Sequence, residues 1–193
     1  MIKVLFLAAN PAGTSQLALD EEIRAIDAKI RGAEHRDRLT MVSHWAVRLD
    51  DLSGLLMRER PAIVHFSGHG AASGAIVLVG ADGTPKTVPP EALAGMFRVL
   101  KDNVRVVVLN ACYSGAQAKA IVKEIDCAIG MRGSSQSGAQ SIVYELDTLR
   151  HKARHGLEQL SLVILSSCAN KSQTTTAEQC QVAAGSIWDG PRA

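Results

Sequence analysis

Short apolar runs alternating with amphipathic stretches constrain this chain more than any other feature. Ile2–Ala8, Ala62–Phe66, Val104–Leu109 and Cys127–Met131 are brief, and Val, Ile, Leu and Ala dominate them. Runs of that length, closed by turn residues, read as buried strands. The first stops at Asn10-Pro11-Ala12-Gly13. Helical patterns lie between the runs. Asp20–Ile30 has Ile23, Ile26 and Ile30 at helical spacing, with Asp20, Glu21 and Glu22 placed to favour the positive end of its dipole. Leu49–Arg60 sets Leu52, Leu55 and Leu56 on one face, with Pro61 beyond its end. Pro89–Leu100 opens on proline, which suits a helix start, and Ala116–Ile125 continues the alternation. Leu39–Val47 is a further strand candidate. Ala75–Val79 faces Lys86–Val88 across the turn Ala81-Asp82-Gly83-Thr84, a small hairpin. Strands alternating with helices predict an α/β fold with a mostly parallel central sheet.

After Gly133 the pattern changes. Ser134–Ser141 is small and polar, Ile142–His155 fits a helix, Leu160–Leu165 fits a strand, and Asn170–Gln181 has no period. No internal repeat or long linker divides the chain, so residues 1–193 are expected to be a single domain. Its length is enough to bury one ordinary core.

Composition narrows the partners. Net charge is +2 with acids and bases mixed, which points to neither nucleic acid nor membrane. The cysteines Cys112, Cys127, Cys168 and Cys180 form no CxxC pair and lack the His/Cys spacing of a zinc site, so neither metal nor cofactor is expected. The opening MIKVLFLAANP is too short for a signal peptide, and no stretch reaches the length of a membrane span. A cytoplasmic location with reduced thiols is the expectation.

Two motifs carry chemistry. His65-Phe66-Ser67-Gly68-His69-Gly70 and Asn110-Ala111-Cys112-Tyr113-Ser114-Gly115 each end an apolar strand. In parallel α/β sheets, working residues sit in loops at the carboxyl ends of strands. If the two strands are neighbours, an imidazole and a thiol can converge there. A cysteine nucleophile needs a base, because its unperturbed thiol is only slightly ionised at neutral pH. His69 could supply that base and later protonate a leaving amine. A helix starting after Cys112 would add its dipole, and backbone N–H groups at the two turns could hold an oxyanion.

These paired motifs resemble the caspase-like cysteine peptidases, and among them the bacterial CHAT domains. The similarity runs from Lys3 to Gly133 and includes the opening KVLFLAANP strand and DCAIGMRG. The resemblance implies a three-layer caspase-like fold and a cysteine endopeptidase acting through an acyl-enzyme. His69 and Cys112 would be the catalytic dyad, with the backbone N–H groups of Gly70 and Cys112 as the oxyanion hole. It also implies a protein or peptide substrate, a regulatory protein partner, and a role in bacterial defence or cell death. The related metacaspases carry an Asp two residues before the cysteine, which favours Arg or Lys substrates; this chain has Asn110 there. Residues 134–193 depart from the family pattern. That departure sustains a second reading, a catalytically silent CHAT-like interaction or regulatory module. A flavodoxin-like nucleotide binder shares the layered sheet, but no Walker lysine accompanies the Gly68–Gly74 run. His65, on the face opposite Phe66, reads as structural, Cys127 as core, and Trp45 and Trp188 as packing residues.

Overall fold

A computed structural model of the chain describes residues 1–33 and 36–132, together with the backbone of a strand at Ser141–Leu146. The elements run β1 (Ile2–Ala8), α1 (Leu19–Gly32), β2 (Leu39–His44), α2 (Leu49–Glu59), β3 (Ile63–Ser67), β4 (His69–Gly70) and β5 (Ile76–Val79). Then follow β6 (Pro85–Val88), α3 (Pro90–Leu100), β7 (Val106–Asn110), α4 (Gly115–Ile121), β8 (Cys127–Arg132) and β9 (Ser141–Leu146). The main sheet has the order β2-β1-β3-β7-β8-β9. Its first five strands are parallel, and β9 pairs antiparallel to β8.

The apolar runs lie inside this sheet because both of its faces are covered. Leu5, Leu7, Val64, Phe66, Val107 and Leu109 pack with Leu52 and Leu56 of α2, Phe97 of α3 and Ile121 of α4. The alternate residues Val4, Phe6, Ile63, Val106 and Val108 pack with Leu19, Ile26 and Ile30 of α1. Helices on two faces of one sheet give the α/β fold with a mostly parallel sheet expected from the alternation, in the three layers that the resemblance implied. Burying two faces is also why the strands read as continuous rather than alternating apolar runs.

A second, three-stranded sheet, β4-β5-β6, holds the expected hairpin plus one addition. β4 contains His69 itself, paired antiparallel to β5 with His69 opposite Val77 and Gly70 opposite Ile76. His69 therefore sits in a short strand and not in a loop. The strand order reverses between β1 and β3, so the loop after β1 and the segments after β3 and β7 come together at the carboxyl end of the sheet, beside a topological switch point. That is the usual ligand position in open parallel sheets.

Several local expectations are corrected. Residues 141–146 are a strand, not the start of a helix at Ile142. The segment SIVYEL is rich in β-branched and aromatic residues, and the free edge of β8 lets it complete a ladder. The rest of that segment, the expected strand Leu160–Leu165, Cys168, Cys180 and Trp188 lie outside the described residues. Helix α4 ends at Ile121, four residues early, because Val122–Asp126 turn to feed β8. The buried face of α1 is Leu19, Glu22, Ile26 and Ile30; Ile23 is only half-buried and Glu22 points inward. Trp45 is 50% exposed and tilts against Phe6 at 6.0 Å, so it is a surface residue with one packed edge.

Candidate functional site

The two motifs meet at the carboxyl ends of neighbouring strands. β3 pairs directly with β7, and the register sets Ser67 opposite Asn110. The backbone of each strand then leaves the sheet at the same level, and the Gly68 N–H donates to the Asn110 carbonyl at 3.3 Å. One turn later the segments are in contact. A Cβ built on Gly70 would lie 1.8 Å from the Cys112 carbonyl oxygen and 3.1 Å from the Cys112 nitrogen. Only glycine lets the two backbones approach this closely. Gly68 is packed in the same way, against the Phe66 ring and the Ala9 carbonyl, each within 2.9 Å of its would-be Cβ.

His69 is oriented by a group the sequence did not reveal. Its Nε2 lies 2.8 Å from the Ser15 carbonyl oxygen, in the loop after β1. A carbonyl can only accept, so Nε2 carries the hydrogen and Nδ1 is left as the basic nitrogen. No side-chain pattern marks Ser15, because the contact uses its backbone.

Cys112 is half-buried. The turn around it is tight. Tyr113, with φ 56°, occupies the left-handed region that a bulky residue rarely adopts. Strain of this kind, about 1–3 kcal/mol, persists only where surrounding contacts enforce it. Ser114 supplies such contacts. Its buried hydroxyl accepts from the Met131 N–H at 2.9 Å and faces the carbonyls of Leu109 and Ala111 at 2.9 and 2.7 Å. The cysteine turn is thereby fastened to β8. Gly130 allows it, since a Cβ there would fall 2.5 Å from the Ser114 carbonyl.

The Gly70 N–H has a definite direction. The Ala71 N–H donates to the Ala75 carbonyl at 2.8 Å, making that pair a hydrogen-bonded one. Antiparallel ladders alternate, so the Gly70–Ile76 pair is non-bonded and the Gly70 N–H turns away from β5. Helix α4 starts after Cys112 but spans only seven residues, so its dipole is a minor addition.

Behind the two turns lies a buried polar cluster. Glu22 of α1 receives the Asn110 amide at 2.6 Å, the Ser67 hydroxyl at 2.5 Å and His65 Nε2 at 2.8 Å. His65 is fully buried and stacks on Phe6 at 5.3 Å, which agrees with its structural reading. Glu22 was read from sequence only as part of an acidic helix start. The usable signal was its position on the Leu19–Ile26–Ile30 face, where a charge demands partners. Cys127 is part-buried in β8, and burial pushes its thiol up to about 12, which makes it inert. Among the described residues no group of three or more His, Cys, Asp or Glu could hold a metal ion. Among them, too, no helix is long and apolar enough to cross a membrane.

Comparison with known proteins shows which family the chain resembles. The chain is 24% identical over 134 residues to a probable protease of Gillisia limnaea, covering 67% of this chain and 23% of that protein. It is 24% identical over 131 residues to a Roc-COR-CHAT protease of an unknown prokaryotic organism, covering 64% of this chain and 12% of that protein. The chain thus spans less than a quarter of the length of either relative. Among solved structures, an alanine–glyoxylate aminotransferase of Nostoc sp. superposes over 97% of this chain and 53% of that one, at 14% identity and a TM-score of 0.37. That likeness is too low to bear on fold or function. The sequence model of the CHAT domain matches residues 8–153, which runs past the Gly133 limit of the sequence resemblance. Three-quarters of the chain falls within that match, and the chain belongs to the CHAT domain family.

Proposed function

We propose that this chain is a cysteine endopeptidase in which Cys112 attacks the peptide carbonyl and His69 manages the proton. The observation that carries the reading is the contact of the two motif turns, Gly70 against the Cys112 backbone, with His69 held by the Ser15 carbonyl. Membership of the CHAT family and the protease names of two relatives support a peptidase role.

The steps follow from the chemistry of the groups. His69 Nδ1 takes the thiol proton, and the thiolate adds to the scissile carbonyl. The resulting oxyanion is held by the backbone N–H groups of Gly70 and Cys112; one such donor contributes about 3–4 kcal/mol in measured cases. Collapse breaks the C–N bond, and the imidazolium gives its proton to the departing amine. Water, deprotonated by His69, then hydrolyses the thioester and restores the thiol. The Ser15 carbonyl keeps the ring from rotating and partly offsets the imidazolium charge. The substrate is a protein or peptide. Asn110 stands where an acid would favour Arg or Lys, so a basic P1 residue is not required.

Incubation with a mixed peptide library, read by mass spectrometry, tests the proposal. Cleavage that disappears in Cys112→Ala and in His69→Ala is the expected result. Cleavage that persists in Cys112→Ala would remove Cys112 from the mechanism. A folded wild-type chain that neither cleaves nor reacts with peptidyl electrophiles would favour the silent-module reading.

A further inference from the structure

We propose that Glu22 is the positioning residue that locks the His69 and Cys112 turns into register, an inference that rests on the peptidase reading above. Its side chain is 1% exposed and lies on the apolar face of α1. A buried carboxylate is costly unless donors satisfy it, and an apolar residue at the same place is often as stabilising. The partners of Glu22 show what the charge accomplishes. Ser67, on Oε2, is the last residue of β3 and precedes His69 by two. Asn110, on Oε1, is the last residue of β7 and precedes Cys112 by two. The two are opposite one another in the β3–β7 register. One rigid carboxylate therefore joins the roots of both turns at equivalent positions. His65 Nε2 makes a third contact to Oε1, and its ring is pinned by stacking on Phe6. The backbone hydrogen bonds between the two strands end with Gly68 N–H on the Asn110 carbonyl, and beyond it the turns are held together by packing and by side chains. Glu22 supplies one such constraint from a third element, α1. Its effect reaches the dyad through Ser67 and Asn110, without contact to substrate.

A misplacement of about 1 Å in a reacting group can cost on the order of a hundredfold in rate. The prediction is a lower kcat at unchanged KM when Glu22 is altered, together with a loss of imidazole–thiol coupling. The coupling is read most directly as the rate of Cys112 alkylation by iodoacetamide against pH, followed by peptide mapping. Four proteins are compared: wild type, His69→Ala, Glu22→Gln, and the double variant Glu22→Gln with Asn110→Asp. Wild type is expected to alkylate at lower pH than His69→Ala, because the imidazole holds the thiolate. Glu22→Gln is expected to move about one pH unit, or tenfold in rate, toward the His69→Ala profile. The double variant returns a carboxylate across the same contact and is expected to recover the wild-type profile. Ile26→Val, on the same helix face, lowers the melting temperature and leaves the profile in place. A folded Glu22→Gln protein with the wild-type profile overturns the proposal, as does a double variant that recovers nothing. If Glu22→Gln does not fold, Ser67→Ala and Asn110→Ala each remove one arm. A shift in either supports the proposal, and none in both overturns it. Identical profiles for wild type and His69→Ala would instead defeat the dyad itself, before any Glu22 variant is considered, and the Glu22 role would fall with it.

Discussion

Replacing Gly70 with alanine should damage the site more than the fold. The added Cβ would meet backbone atoms of Cys112, with the carbonyl oxygen at 1.8 Å and the carbonyl carbon at 2.8 Å. Ordinary contact begins near 3.4 Å, so the Cys112 carbonyl must recede by about 1.6 Å. Neither partner is a flexible side chain that could swing aside. Overpacking that forces backbone shifts costs about 1–3 kcal/mol, and a backbone neighbour argues for the upper end. Alanine returns about 0.4–1 kcal/mol by restricting the unfolded chain, which leaves a net loss near 2 kcal/mol. For a chain of this length that is a fall of about 4–8 °C in melting temperature. The effect on Cys112 is larger, since a displacement above 1 Å costs on the order of a hundredfold in reaction rate. Gly95→Ala is the matched control: its Cβ meets nothing within 4 Å, in the middle of α3. That variant should gain about 0.5–1 kcal/mol from helix propensity. The assay is a thermal melt paired with the rate of Cys112 labelling by a peptidyl fluoromethyl ketone. Gly70→Ala melting and labelling like wild type would refute the close approach of the two turns.

Other consequences are simpler to check. Ser114→Ala leaves the buried Met131 N–H without its acceptor and should cost about 1–3 kcal/mol in urea unfolding, with an unchanged slope. Leu56→Ala, at a fully buried position between α2 and the sheet, should cost about 2–5 kcal/mol in the same experiment. Alkylation at pH 8 followed by peptide mapping should modify Cys112 and spare Cys127, whose thiol is pushed up to about 12. The hydrogen bond from Arg58, with help from Lys3, holds the Glu59 carboxyl below its ordinary 4.5. A depressed folded-state value means stability that is present above pH 4.5 and lost as pH falls through the folded value. Glu59→Gln should therefore be slightly less stable than wild type at neutral pH and converge with it in acid, as followed by chemical unfolding across pH.

The parallel sheet could be read from sequence because burial on both faces writes itself as unbroken apolar runs. Ile2–Ala8 and the run ending at Leu109 show this, and their boundaries fell within two residues of the structure. Strand β9 was misread because six residues with Ile, Val, Tyr and Leu fit either period, and only the waiting edge of β8 decides between them. His69 and Cys112 stood out because each follows an apolar strand in a glycine-containing motif, with Gly68 and Gly70 around His69 and Gly115 three residues after Cys112. Ser15 could not stand out, since its contribution is a backbone carbonyl. Glu22 was masked by Asp20 and Glu21 beside it, which remain solvent-facing while Glu22 turns inward. The inward turn follows from helical spacing with Leu19 and Ile26, and that spacing was present in the sequence.

The central claim is that an imidazole and a thiol act together at the rim of the β3–β7 pair. Intact-mass analysis after a brief exposure to a peptidyl acyloxymethyl ketone tests it most directly. The account predicts one adduct, located at Cys112, formed at a rate that collapses in His69→Ala while the fold is retained. Equal labelling with and without the imidazole, or modification at another cysteine alone, would contradict it.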